Sequence, residues 1–160
     1  MTITCYLYKI PFQNPFKTGK NIYKYREGII LELKKEGITA YGEAAPLPGF
    51  SSYSLNEVLT QLKEFQSEFK QLFQNRNPRE VAVDFYHKNT IKPSLQFALD
   101  TLITDWMSQK HGQSLADFLF ENHNNYININ GVVGSSAGII EMLDKSAVFD
   151  QPRFYDYSEI

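Results

Sequence analysis

The sequence predicts an α+β fold in which an antiparallel three-stranded meander is followed by a helical bundle. Three observations lead there. Apolar residues alternate with period two over much of the first 44 positions, and Glu36-Gly37 supplies a tight reversal between two of the alternating runs. From Leu55 onward the period changes to that of an amphipathic helix. Between the two regimes lies GEAAPLPGFS, Gly42 to Ser51, in which Pro46 and Pro48 set φ before folding and Gly49 admits angles closed to other residues. A stiff loop with Leu47 and Phe50 on its tip is made to touch something apolar. It reads either as a contact loop or as a turn that caps the core.

In Thr2 to Ile10, Ile3, Cys5 and Leu7 oppose Thr4, Tyr6 and Tyr8, which suits a strand with aromatics on one face. Pro11 and Pro15 are expected to stop it. Pro11 to Lys20 then reads as a loop carrying Phe12 and Phe16, either a plain connection or a flap over a pocket. Its Lys17-Thr18-Gly19-Lys20 end lacks the glycine-rich turn of a phosphate loop. Tyr25 to Lys35 is the second strand, with Ile29, Leu31 and Leu33 on one face, and Ile38 to Ala44 the third.

Ser54-Leu55-Asn56-Glu57 is a capping box, with Tyr53 and Val58 at the staple positions. One long helix is expected from Leu55 to Phe73, its stripe formed by Val58, Leu59, Leu62, Phe65, Phe69 and Leu72. Asn75 to Pro78 ends it. Arg79 to His87 suits a shorter helix with Val81, Ala82, Val83 and Phe85 as its apolar residues. Pro93 opens another, whose Leu95, Ala98, Leu99, Leu102, Ile103, Trp106 and Met107 recur at three and four, and Gly112 closes it. Ser114 caps a last short helix, Leu115 to Phe120. After a polar break at Asn122 to Asn125, Tyr126 to Val133 reads as a strand with Asn128 and Asn130 on one face. They line a polar cavity or lie on a wet face. Residues 135 to 160 change character and match no regular pattern over their last part.

Composition narrows the classes of function. The 160 residues are 42% hydrophobic, enough for one well-formed core, and the formal charge of -2 leaves no electrostatic footprint for nucleic acid. Cys5 is the sole cysteine, so no internal disulfide forms and a reducing compartment fits. MTITCYLYKIPF has no charged segment followed by a long apolar run, and no stretch approaches the ~20 apolar residues of a membrane span. A soluble, cytoplasmic chain without a signal peptide is expected.

Residues able to carry chemistry are sparse. His87, His111 and His123 have no ligand spacing to one another or to Cys5. Asp100 and Asp105 share a helix but stand about 140° apart, and are expected to orient backbone or pair with a basic residue. Glu43 is the best single acid, yet a lone carboxylate is usually structural. Ser51 and Ser52 lie in no nucleophile elbow.

Three stretches together resemble the amino-terminal half of the o-succinylbenzoate synthases, a branch of the enolase superfamily. Arg26-Glu27-Gly28 through GEAAPLPGFS is similar to the family's "R-x-G … G-x-G-E-x-x-P-L-P-G-F-S", with Tyr41 before Gly42 where a second glycine is common. PSLQFALDTLITDW, Pro93 to Trp106, resembles "P-S-x-x-F-A-x-E-x-A-x-x-D-L", with Asp100 in place of glutamate and Trp106 in place of leucine. ININGVVG resembles the family's first barrel strand. PLPGFS is the most specific part, because it separates this branch from muconate-cycloisomerase and dipeptide-epimerase relatives.

The resemblance implies a capping domain over residues 1–125, a first barrel strand over 126–134 and a tail without family match over 135–160. The family enzyme is a magnesium-dependent lyase of menaquinone biosynthesis. It dehydrates a succinyl-hydroxy-cyclohexadiene carboxylate, a small aromatic-precursor substrate, using barrel lysines as bases and three barrel carboxylates for the metal. A complete barrel takes ~200 residues, and 26 follow Gly134. They contain no Lys-x-Lys; Lys145 is isolated, and Asp150, Asp156 and Glu159 share one short tail. No catalytic residue, metal ligand or bound magnesium is therefore expected in this chain, which reads as truncated and inactive alone. What carries over is substrate contact: Leu47, Pro48, Gly49, Phe50 and Ser51 as the loop on the substrate, Phe16, Lys17, Thr18 and Gly19 as the flap, and Asn128 or Asn130 in the barrel floor. The alternative is a stand-alone α+β module that binds a small ligand or a partner without catalysis, with self-association through Tyr126 to Val133 as one route.

Overall fold

The computed structural model describes residues 1–18, 20–72, 77–124 and 126. Three antiparallel strands, β1 (Thr2–Lys17), β2 (Ile22–Lys35) and β3 (Ile38–Ala44), form a sheet in the order β1-β2-β3. The meander is as expected, and Glu36 and Gly37 make its second reversal with φ of 56° and 79°. Pairing sets Ile3 opposite Leu33, Cys5 opposite Leu31 and Leu7 opposite Ile29. It also sets Leu31 opposite Gly42 and Leu33 opposite Ala40. Directly opposed residues share a face, so the inner face is apolar across all three strands.

The prolines do not end β1 where expected. Pro11 still pairs with Tyr25, and after an irregular stretch Phe16 pairs with Tyr23 and Lys17 with Ile22. Since β1 is an edge strand, only one side of its backbone has to pair, and Pro15 falls within the irregularity. The segment expected as a loop from Pro11 is therefore mostly the far end of a long hairpin, and β2 begins three residues earlier than its alternation suggests.

Helix α1 (Leu55–Glu64) starts on the expected capping box: Glu57 N–H donates to Ser54 Oγ, and Ser54 N–H donates to the Glu57 carboxylate at 2.7 Å. The long helix expected up to Phe73 is instead broken at Phe65 (φ -95°, ψ 9°) and resumes as α2 (Gln66–Leu72). The break lets Phe65 and Phe69 both meet the Phe85 ring edge-on, at centroid distances of 5.1 and 5.3 Å. Such aromatic contacts offset a locally interrupted helix. Phe73 lies outside the described residues.

Helix α3 (Pro78–Lys88) is capped by Asn77 and places Pro78 inside its first turn, so that proline opens this helix as well as following the previous one. Ala82 and Phe85 are buried, whereas Val83 faces outward. Helix α4 (Pro93–Lys110) buries Leu95, Ala98, Leu99, Leu102, Ile103 and Trp106, and Gly112 turns the chain at φ 67°. Ser114 caps α5 (Leu115–Leu119), one residue shorter than expected.

Helix α4 lies on β3 and β2 and joins their apolar faces into one core. Gly42 makes the close approach feasible, since a Cβ there would stand 1.9 Å from the Ala98 carbonyl oxygen. The same helix satisfies the outer edge of β3: the Asp105 carboxylate accepts from Tyr41 N–H at 2.8 Å, and Gln109 Nε2 donates to the Thr39 carbonyl at 2.9 Å. No helix among the described residues is long and apolar enough to cross a membrane.

Candidate functional site

The loop after β3 is held from within and from the sheet. Phe50 and Ser51 N–H both donate to the Leu47 carbonyl, at 3.0 and 2.8 Å, and Leu47 N–H donates to Ser51 Oγ at 3.0 Å. This closed turn requires Gly49 at φ 77° and leaves Phe50 87% exposed at its tip. From β2, Arg26 donates to the Ala45 carbonyl and, at 3.4 Å, to the Pro46 carbonyl. Tyr23 Oη donates to the Pro48 carbonyl at 2.9 Å and accepts from Asn21 Nδ2 at 3.1 Å. Serine and proline supply the local stiffness, while arginine and tyrosine bind the loop to the hairpin.

The hairpin tip comes against the loop. Phe16 stands 6.4 Å from Phe12 and 6.2 Å from Tyr23 between ring centroids. A cavity of about 200 Å³ is lined by these three rings together with Tyr25, Leu47, Pro48, Arg26 and Glu27. A second, more open hollow of about 320 Å³ shares Glu27 and Pro48 with the first and extends along Gly49, Ser51 and the start of α1. The first cavity offers stacking surfaces with one guanidinium and one carboxylate, suited to a small ligand with an apolar body and a polar end.

Of the residues expected at a site, the structure brings Phe16, Leu47 and Pro48 together on the aromatic cavity. Gly49 and Ser51 line the second hollow. Phe50 projects into solvent. Thr18 lies at the hairpin turn, accepting from Asn21 N–H at 3.0 Å through its hydroxyl. Lys17 pairs with Ile22 at the end of the ladder. Gly19, Asn128 and Asn130 lie outside the described residues, as do residues 127–160. Tyr23, Tyr25 and Arg26 complete the aromatic cavity, although sequence reasoning does not mark them as site residues. Their signal is the same-face spacing of the two tyrosines, which becomes readable only once the register with β1 is known.

Other candidates resolve into structural roles. Glu43 accepts from the Tyr8 hydroxyl, whose pKa is pushed up to about 12 by burial first and then by this carboxylate. Asp105 holds the Tyr41 backbone as described, and Asp100 accepts from Tyr86 Oη at 2.9 Å, with burial raising its pKa. The two aspartates do not converge, in line with their angular separation. His123 pairs with Asp117 at 2.9 Å beside the α5 cap. Among the described residues no group of three or more His, Cys, Asp or Glu side chains could hold a metal ion.

A three-stranded antiparallel meander backed by helices is the architecture of the enolase-superfamily amino-terminal capping domain. An N-succinyl Arg/Lys racemase from Bacillus cereus superposes with a TM-score of 0.71 at 22% identity, covering 92% of this chain and 41% of that one. A dipeptide epimerase from Enterococcus faecalis, crystallised with Mg and the dipeptide L-Leu-L-Tyr, gives 0.58 at 21% identity over 68% of this chain and 31% of that one. Within that class the chain belongs to the family of MenC N-terminal domains, whose model matches residues 1–104. The o-succinylbenzoate synthase of Thermosynechococcus vestitus is 45% identical over 51 residues, which are 31% of this chain and 16% of the relative. The chain thus covers well under half the length of the proteins it matches.

Proposed function

We propose that this chain is the capping part of an o-succinylbenzoate synthase and contributes substrate selection rather than chemistry. On this reading residues 1–125 are the cap and residues 126–134 the first barrel strand, the family model itself matching residues 1–104. Leu47 to Ser51 pack on the substrate, Phe16 to Gly19 act as the flap, and Asn128 or Asn130 belong to the barrel floor. The observation that carries this reading is the shared cavity of about 200 Å³ between Phe16 on the hairpin and Leu47 and Pro48 on the loop. Apolar groups that close over a small carboxylate exclude water and fix its orientation.

Magnesium belongs to the complete enzyme, as the Mg-bound epimerase structure suggests for the superfamily. The described residues do not fit it, since they contain no ligand cluster. On this reading the described residues bind and shield the substrate, and the chain by itself is expected to be inactive. Purified chain with substrate and magnesium is expected to show background turnover; a rate above background would overturn the inactivity. In a chimera, residues 1–125 replace the matching part of the Thermosynechococcus vestitus synthase. There, Phe16→Ala and Leu47→Ala are each expected to raise KM by about tenfold, because each truncated side chain buries less of the substrate's apolar surface. A folded, active chimera whose KM ignores both changes would remove the basis for the specificity role.

A further inference from the structure

The helical layer does not cover the sheet evenly. On β2, Leu31 and Ile29 are 1% and 0% exposed, yet their partners on β1, Cys5 and Leu7, are open, Leu7 at 65%. Helices α1 and α2 approach this uncovered strip and leave a groove of about 300 Å³ beside it. One wall is Ile3, Cys5 and Leu31; the other is Leu59, Leu62 and Phe69. Lys63 and Lys70 also line the groove, and none of the ion pairs among the described residues includes either ammonium. Desolvation pushes the Cys5 thiol pKa up, in keeping with its place against apolar side chains.

We propose that this groove, separate from the aromatic cavity at the hairpin tip, binds a medium-chain alkyl carboxylate. Its tail lies between β1 and α1–α2, and its head group sits on Lys63 and Lys70. Charge complementarity selects the occupant: two ammonium groups beside apolar walls match a molecule that is apolar along its length and anionic at one end. The volume is at the lower end for small-molecule sites, which suits one unbranched chain of about eight to ten carbons.

Cys5 is the sole cysteine and stands in the wall, so its alkylation rate reports occupancy. With the full chain, hexanoate, octanoate and decanoate are expected to slow iodoacetamide labelling, the half-effect concentration falling about fourfold per added methylene. The exposed-site double change Lys63→Gln with Lys70→Gln is expected to weaken protection by decanoate about tenfold and leave protection by decanol unaltered. Absence of protection at about 1 mM decanoate would overturn the proposal. Equal protection of the wild type and the double variant would also overturn it, because the head group would not be recognised. A thiol that is inert before any ligand is added would show that another part of the chain fills the groove. Protection that tracks protein concentration instead would assign the groove to a second copy. Either result sinks the proposal and leaves the capping role untouched.

Discussion

At the scale of single residues, Glu32 shows how an outward-facing carboxylate can become a structural group. It is 7% exposed on the outer face of the sheet, where the Tyr6 and Tyr41 hydroxyls each donate to it at 3.3 Å and the Lys34 ammonium stands at 3.0 Å. The hydrogen bond from Lys34, then its charge and the two tyrosines, hold the Glu32 pKa below the usual glutamate value against the opposing effect of desolvation. A carboxyl whose folded pKa lies below its unfolded one stabilises the fold above the unfolded value, and that contribution is lost as pH falls through the folded pKa. Glu32→Gln is therefore expected to melt below the wild type at pH ~7, with the gap closing in acid below the ordinary value of about 4.3. Thermal melts across that range check it; a gap of constant size would contradict the assignment. The same face holds Tyr8 against Glu43, which makes Glu43 a strut of the sheet rather than a free acid.

At the scale of elements, local chemistry and close approach each have a clear signature. The Ser54–Glu57 box satisfies amides that the first turn of α1 would otherwise leave open. Ser54→Ala should lower stability by about 1 kcal/mol in urea unfolding, with an unchanged denaturant slope. Gly42 has no helical or turn role: it lets β3 lie against α4, where a methyl group would collide with the Ala98 carbonyl. Gly42→Ala should destabilise by about 3 kcal/mol or more, because backbone rather than a flexible side chain would have to move. Retention of the wild-type unfolding midpoint would contradict that packing.

For the whole molecule, the sheet and the helices share one core in which Leu102 is fully buried. Leu102→Ala should remove about 3 kcal/mol through the transfer energy of the deleted methyl groups and the cavity they leave. Far-ultraviolet and tryptophan signals should fall together in that variant, since Trp106 lies on the same helix face and in the same core. Separate transitions would contradict a shared core. Because α4 covers β3 and β2 but not β1, this core also leaves the open strip on which the carboxylate groove rests.

Features governed by near neighbours were legible in the residues themselves. The Glu36-Gly37 reversal, the capping box, Pro93 and Gly112 at the ends of α4, and the stiffness of PLPGFS each follow from groups within a few positions of one another. The family resemblance rests on the same local runs. The course of β1 past Pro11 was not legible, because a proline is tolerated or not according to whether its strand has one neighbour or two. Nor was the break at Phe65, which answers to the distant Phe85 ring. The sequence by itself determined the meander, the helical regions and the stiff loop; only the tertiary structure decided where the first helix breaks and that Phe16 and Leu47 share a cavity, with Tyr23 and Arg26 binding loop to hairpin. The reason is physical: side-chain period follows from the chain, whereas cross-strand register and the reach of a helix over a sheet are properties of the packed core.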